Sequence, residues 1–198
     1  MRKETRIKLA NLISNVLNPF LMSLVAYVLI TYQSRLSVAT VVRWSLILAF
    51  VSLSPILLIV AYLVWNGKLG DLFTIVRQQK AELHLLLAVV AAVDFVVLWG
   101  IDAPRFLQAG LVMCLVGLVV FMFIGLWWKI SLHVAFATML AVVIGVLCGW
   151  MAGVAAIPLL LVGWARVELK EHSVAQVIAG ALIAAVIGVV GFRLFGII

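Results

Sequence analysis

Three histidines, His84, His133 and His172, are the side chains of this chain best suited to nucleophilic attack or proton transfer near neutral pH. Two of them stand in short polar strings that interrupt apolar sequence. The first string is Lys129-Ile130-Ser131-Leu132-His133, at the entrance to an apolar run. The second is Arg166, then His172, then Gln176, at the opening of the last apolar run. Cations, a hydroxyl and two imidazoles suit a tetrahedral oxyanion. Phosphoryl transfer needs several donors around three equatorial oxygens, with a nucleophile and an acid in line. One imidazole can attack phosphorus, and a second can protonate the leaving oxygen. No carboxylate cluster offers a metal site, and such a scheme calls for neither a metal nor another cofactor.

The elements that carry these strings must be membrane helices. Of 198 residues, 67% are hydrophobic and only 11% charged, against about 25% charged in an ordinary soluble domain. A chain this apolar cannot hide its side chains in a water-facing globule, so the bilayer must act as part of its solvent. The reading is an all-α, polytopic transmembrane helical bundle, a single integral membrane domain over residues 1–198. The net charge of +7 does not signal nucleic acid, because the basic residues flank apolar runs, where anchoring and topology place them. The partners expected are membrane lipids and no nucleic acid. Cys114 and Cys148 lie inside apolar stretches with no CxxC spacing and read as buried free thiols.

A hydrocarbon core of about 30 Å takes roughly 20 helical residues. The candidate spans are 12–31, 44–64, 83–99, 106–127, 134–165 and 172–197. The fifth is too long for one span and is interrupted by Gly149, Gly153 and Pro158. It is predicted to fold as two helices of about 15 residues, each about 22 Å long. Seven segments are therefore expected, or six without that break. With seven, the amino terminus and the connections 65–82, 128–133 and 166–171 share one face. That face carries Arg2, Lys3, Arg6, Lys8, Lys68, Arg77, Lys80, Lys129, Arg166 and Lys170, while the other has only Arg35, Arg43, Arg105 and Arg193. The cation-rich face is expected to be cytoplasmic. All three histidines fall on it.

The two strings resemble motifs of the type 2 phosphatidic acid phosphatase (PAP2) superfamily, whose patterns are KxxxxxxRP, PSGH and SRxxxxxHxxxD. The third is matched in spacing by Arg166, His172 and Gln176, with Ala165 for the leading Ser and Gln176 for the Asp. The second is matched at Ser131 and His133, with Ile130 and Leu132 for Pro and Gly. Trp128–His133 resembles the WKISxH-like string of divergent bacterial members. Arg77-Gln78-Gln79-Lys80 lies where the first motif is expected, without its spaced Lys or its Pro. The resemblance covers about residues 67–180.

That resemblance implies a PAP2-like bundle in a bacterial or archaeal-type cell membrane, acting on a lipid or isoprenoid phosphate or diphosphate. It makes His172 the nucleophile and His133 the general acid. Arg166, Lys129, Ser131 and one or both of Arg77 and Lys80 would hold the phosphate. In the family the Asp orients the nucleophilic imidazole and stabilises its cation. Gln176, four residues after His172, is expected to share a helix face with it and to offer an amide oxygen without the charge. A neutral orienter leaves a slower nucleophile, as the handicap of a triad with Asn for Asp illustrates. The alternative is a lipid-phosphate binder or carrier that kept the anion pocket and lost turnover.

Plainer roles compete residue by residue. Arg2, Lys3, Arg6, Lys8 and Lys68 read as topology signals and headgroup contacts. His84 matches no motif and reads as interfacial packing. Asp94, inside an apolar segment, reads as a neutral or hydrogen-bonded residue facing the bundle interior. Gly180, Ala181, Ala184, Ala185 and Gly188 give the last helix a face for close packing.

Overall fold

The computed structural model of the chain describes residues 3–33, 37–67, 81–149 and 152–198. Among them the fold is all helical. The elements are α1 (Lys3–Val16), α2 (Pro19–Gln33), α3 (Val38–Trp65), α4 (Ala81–Gly100), α5 (Arg105–Gly125), α6 (Leu132–Cys148), α7 (Ala152–Glu168) and α8 (Val174–Leu194). They fall into two compact units. Met1–Leu36 with Trp127–Ile198 forms one, and Ser37–Leu126 forms the other.

The first unit is built around α6, which packs on α2, α7 and α8. Its core joins Met22 of α2, Val134, Ala137 and Leu140 of α6, and Val162 of α7, with Val177 and Ala181 of α8 against them. α8 turns Gly180, Ala184, Gly188 and Phe192 inward. A β-carbon on Gly188 would lie 3.0 Å from the Met139 sulfur and 3.1 Å from Val142 Cγ1. The outer stripe of the same helix is Val174, Ile178, Leu182, Val186, Val190 and Leu194, one residue per turn and all exposed. Small side chains inside and large aliphatic ones outside invert the pattern of a water-soluble helix. Lipid is the solvent that suits such a surface.

Among the described residues, two helices, Arg105–Gly125 and Val174–Leu194, are long and apolar enough to cross a membrane. Each has 21 residues, or about 31 Å of rise. A third span results if the bent pair Lys3–Val16 and Pro19–Ile30 is taken as one. Six to seven spans were expected, and at two of the expected positions the chain is not one straight helix. The first expected span is broken by a 45° bend. Asn18 caps the new helix by accepting from the Leu21 N–H at 2.9 Å, and Pro19 takes the first helical position, where its missing N–H does no harm. The long run 134–165 divides at Gly149, whose φ of 49° ends α6. Gly153 and Pro158 lie within α7. α6 and α7 have 17 residues each, about 25 Å, and pack on one another.

In the second unit α4 packs on both α3 and α5, with Ala88, Ala91 and Leu118 at the centre. Asp94 is buried there, facing the interior as its position in an apolar helix requires.

One close approach sets where the Lys129–His133 string lies. A β-carbon on Gly180 would sit 3.0 Å from Ile130 Cγ2 and 3.2 Å from the Ser131 carbonyl oxygen. The backbone leading into α6 therefore rests directly on the first turns of α8. Gly180→Leu is expected to destabilise the protein by about 3 kcal/mol, read as a lowered unfolding midpoint in detergent, because the Ser131 backbone cannot give way as a side chain can.

Candidate anion site

The site lies wholly within the first unit and is assembled from four short pieces of chain. The tightest is the turn between α7 and α8. α7 ends with the Lys170 N–H donating to the Val167 carbonyl at 2.9 Å and the Glu171 N–H donating to the Arg166 carbonyl at 3.1 Å. This pair of bonds, with Lys170 left-handed at φ 56°, is a Schellman closure. A residue with a β-carbon adopts that conformation at roughly 1 kcal/mol. The His172 N–H donates to the same Arg166 carbonyl at 3.3 Å. The spacing of five residues between Arg166 and His172 thus has a geometric cause. The closure folds the chain back so that both residues stand at one point.

Ser173 then starts α8 as its N-cap. Its hydroxyl accepts from the Gln176 N–H at 3.3 Å, and the Gln176 side-chain oxygen accepts from the Ser173 N–H at 2.9 Å. This is a capping box. Here the structure corrects an expectation. His172 precedes the helix, so four residues of separation do not put it on a shared face with Gln176. The Gln176 amide oxygen is engaged at the cap, and no side chain is hydrogen-bonded to either His172 ring nitrogen.

The third piece is the entrance to α6. Ser131 is fully buried and caps that helix, accepting from the Val134 N–H at 3.5 Å. His133, half buried in the first turn, interacts electrostatically with Arg166 and His172. Lys129 is exposed, and its charge acts on His172. The fourth piece is α1, from which Ser14, itself buried, accepts from Arg166 Nη1 at 3.1 Å.

Arg166 is 4% exposed. Its Nη2 pairs with the Glu171 carboxylate, and its Nε is buried without a partner. His172 is pushed down to about 4 from its ordinary 6.5. Burial is the largest cause, followed by the positive charges of Arg166 and Lys129, with the Lys129 backbone and Glu171 acting the other way. At neutral pH its ring is uncharged and keeps a free lone pair. A buried guanidinium nitrogen without a partner, beside a buried imidazole that no side chain engages, is anomalous in a closed interior. A tetrahedral oxyanion would supply the missing acceptors.

Of the residues expected from sequence, the fold gathers Lys129, Ser131, His133, Arg166 and His172 in this unit. Gln176 is nearby but turned to the helix cap. Arg77 and Lys80 lie outside the described residues. Ser14 was not anticipated. Its signal was faint: Arg6, Ala10 and Ser14 recur at helical spacing, and this face meets α7, where Arg6 pairs with Glu168. Among the described residues no group of three His, Cys, Asp or Glu could hold a metal ion. No family model, curated protein or solved structure matches the chain.

Proposed function

We propose that this chain is a membrane-embedded phosphatase of the PAP2 type, hydrolysing a lipid or isoprenoid phosphate or diphosphate. The observation that carries the proposal is the buried Arg166 with its unpartnered Nε, beside a buried His172 to which no side chain is hydrogen-bonded and which interacts electrostatically with Lys129 and His133. In this reading a neutral His172 nitrogen attacks phosphorus and the bond from phosphorus to the lipid oxygen breaks. His133 gives its proton to the departing alkoxide. Water, deprotonated by His133, then displaces the phosphate from His172. The negative charge of a bound phosphate favours the protonated form of His133. Arg166 and Lys129 neutralise the equatorial oxygens. The substrate head enters at the membrane surface while its tail stays among the helices. The chain crosses the bilayer six or seven times in this reading, its shorter apolar helices included, with the site at the cytoplasmic face.

A second reading, a lipid-phosphate binder or carrier, draws on Gln176. With that amide at the helix cap, no side chain orients the His172 ring. The two readings separate on the purified protein in mixed micelles offered a short-chain phosphatidic acid and a prenyl phosphate. The phosphatase releases inorganic phosphate. Gln176→Asp, which keeps a capping acceptor and adds a favourable charge at a helix amino terminus, is expected to leave that rate unchanged, because residue 176 serves the helix cap and not the His172 ring. Saturable binding with no release by either protein leaves the carrier.

A further inference from the structure

We infer that Ser14, on the amino-terminal helix, is a positioning residue for Arg166, so that α1 is a working part of the anion site. The inference rests on the anion-site reading above and adds to it a residue outside every motif string. Arg166 presents a planar fork whose two outer nitrogens are both engaged, Nη1 by the Ser14 hydroxyl at 3.1 Å and Nη2 by Glu171. These two anchors fix the plane of the guanidinium and aim the buried, unpaired Nε. They are unequal. Glu171 is 44% exposed and can exchange its pairing for water, whereas Ser14 is 5% exposed and sits on a helix packed along α7. Ser14 is therefore the fixed pivot. An incoming anion competes with the Glu171 carboxylate for the guanidinium but not with a neutral hydroxyl. Ser14 uses an oxygen lone pair toward Arg166, which leaves its O–H as a donor. The Arg6–Glu168 ion pair ties the same two helices together near the site.

Tungstate is the probe, titrated calorimetrically into the full chain in detergent. Wild type is expected to bind it. Ser14→Ala is expected to weaken binding about tenfold, the size of one hydrogen bond to a charged group, and Ser14→Thr, which keeps the hydroxyl, to restore it to within about threefold. Against an Arg166→Lys background, Ser14→Ala should add nothing, because the two act as one unit. Ser14→Ala binding as wild type does, even with a lower melting temperature, overturns the inference and leaves Ser14 a packing contact. An equal further loss on the Arg166→Lys background also overturns it, since Ser14 would then act elsewhere. A folded wild type that binds no tungstate overturns the anion-site reading itself, which is a different failure from a wild type that binds and a Ser14 variant that is unaffected.

Discussion

His172→Ala is expected to lower phosphate release by a factor on the order of 10³ or more, since removing an attacking group leaves only binding and charge stabilisation behind. Reactions quenched in alkali, where a phosphohistidine survives, should lose any phosphoryl-protein signal at the same time. The ring also carries a pH signature that needs no substrate. Its value of about 4 in the folded chain lies below the ordinary 6.5, so between those values the unfolded chain takes up a proton that the folded chain refuses. Stability present above about pH 6.5 is then lost progressively as the pH falls toward 4. The alanine variant lacks that loss. Unfolding midpoints measured in detergent across this range should therefore fall more steeply for wild type than for the variant. Parallel curves would mean that the ring is not held neutral by its surroundings. For turnover, the acid limb of kcat/KM that belongs to His172 should lie near pH 4, because the free site keeps its nucleophile unprotonated until then.

How far such a site could be read from sequence depends on which forces are local. The division of the long apolar run at Gly149 was legible because a residue without a β-carbon tolerates the positive φ that ends α6. The inward face of α8 was legible for the same reason of size, with Gly180 and Gly188 allowing backbone and side chains of the α6 segment to approach. The break between α1 and α2 was passed over because the apolar residues on its two sides add up to the length of one span, although Asn18-Pro19 is a recognisable start of a new helix. The Arg166–His172 spacing was visible as a pattern, but its cause was not, because the Schellman turn is closed by Lys170 where a glycine would have announced it. The pairing of His172 with Gln176 failed on a boundary one residue away. Ser173-Val174-Ala175-Gln176 is a capping-box string, and reading it would have set His172 outside the helix. Ser14 depended on which face of α1 meets α7, and nothing local in the sequence encodes that meeting.

Arg166 should show the other large effect, and its two substitutions separate a structural arginine from a binding one. Arg166→Ala removes the acceptorless Nε, the Nη1 contact to Ser14 and the pairing to Glu171 together. The buried Ser14 hydroxyl is stranded, whereas Glu171, half exposed, returns to water. Destabilisation should therefore reach about 2 kcal/mol, below the 3–5 kcal/mol typical when a fully buried partner charge is orphaned. Tungstate affinity and phosphate release should each fall about a thousandfold, as for loss of a preorganised donor set in a water-poor site. Arg166→Lys keeps the charge and most of the packing. A single ammonium, however, cannot span Ser14 and Glu171 while also presenting a donor to the anion, because it lacks the planar fork. It should melt within a few degrees of wild type yet bind tungstate about a hundredfold more weakly. An Arg166→Lys protein that binds tungstate like wild type would show that only net positive charge matters at this position. The guanidinium would then be a strut between α1 and the α7–α8 turn, and the unpaired Nε of Arg166 would have to be explained without an anion.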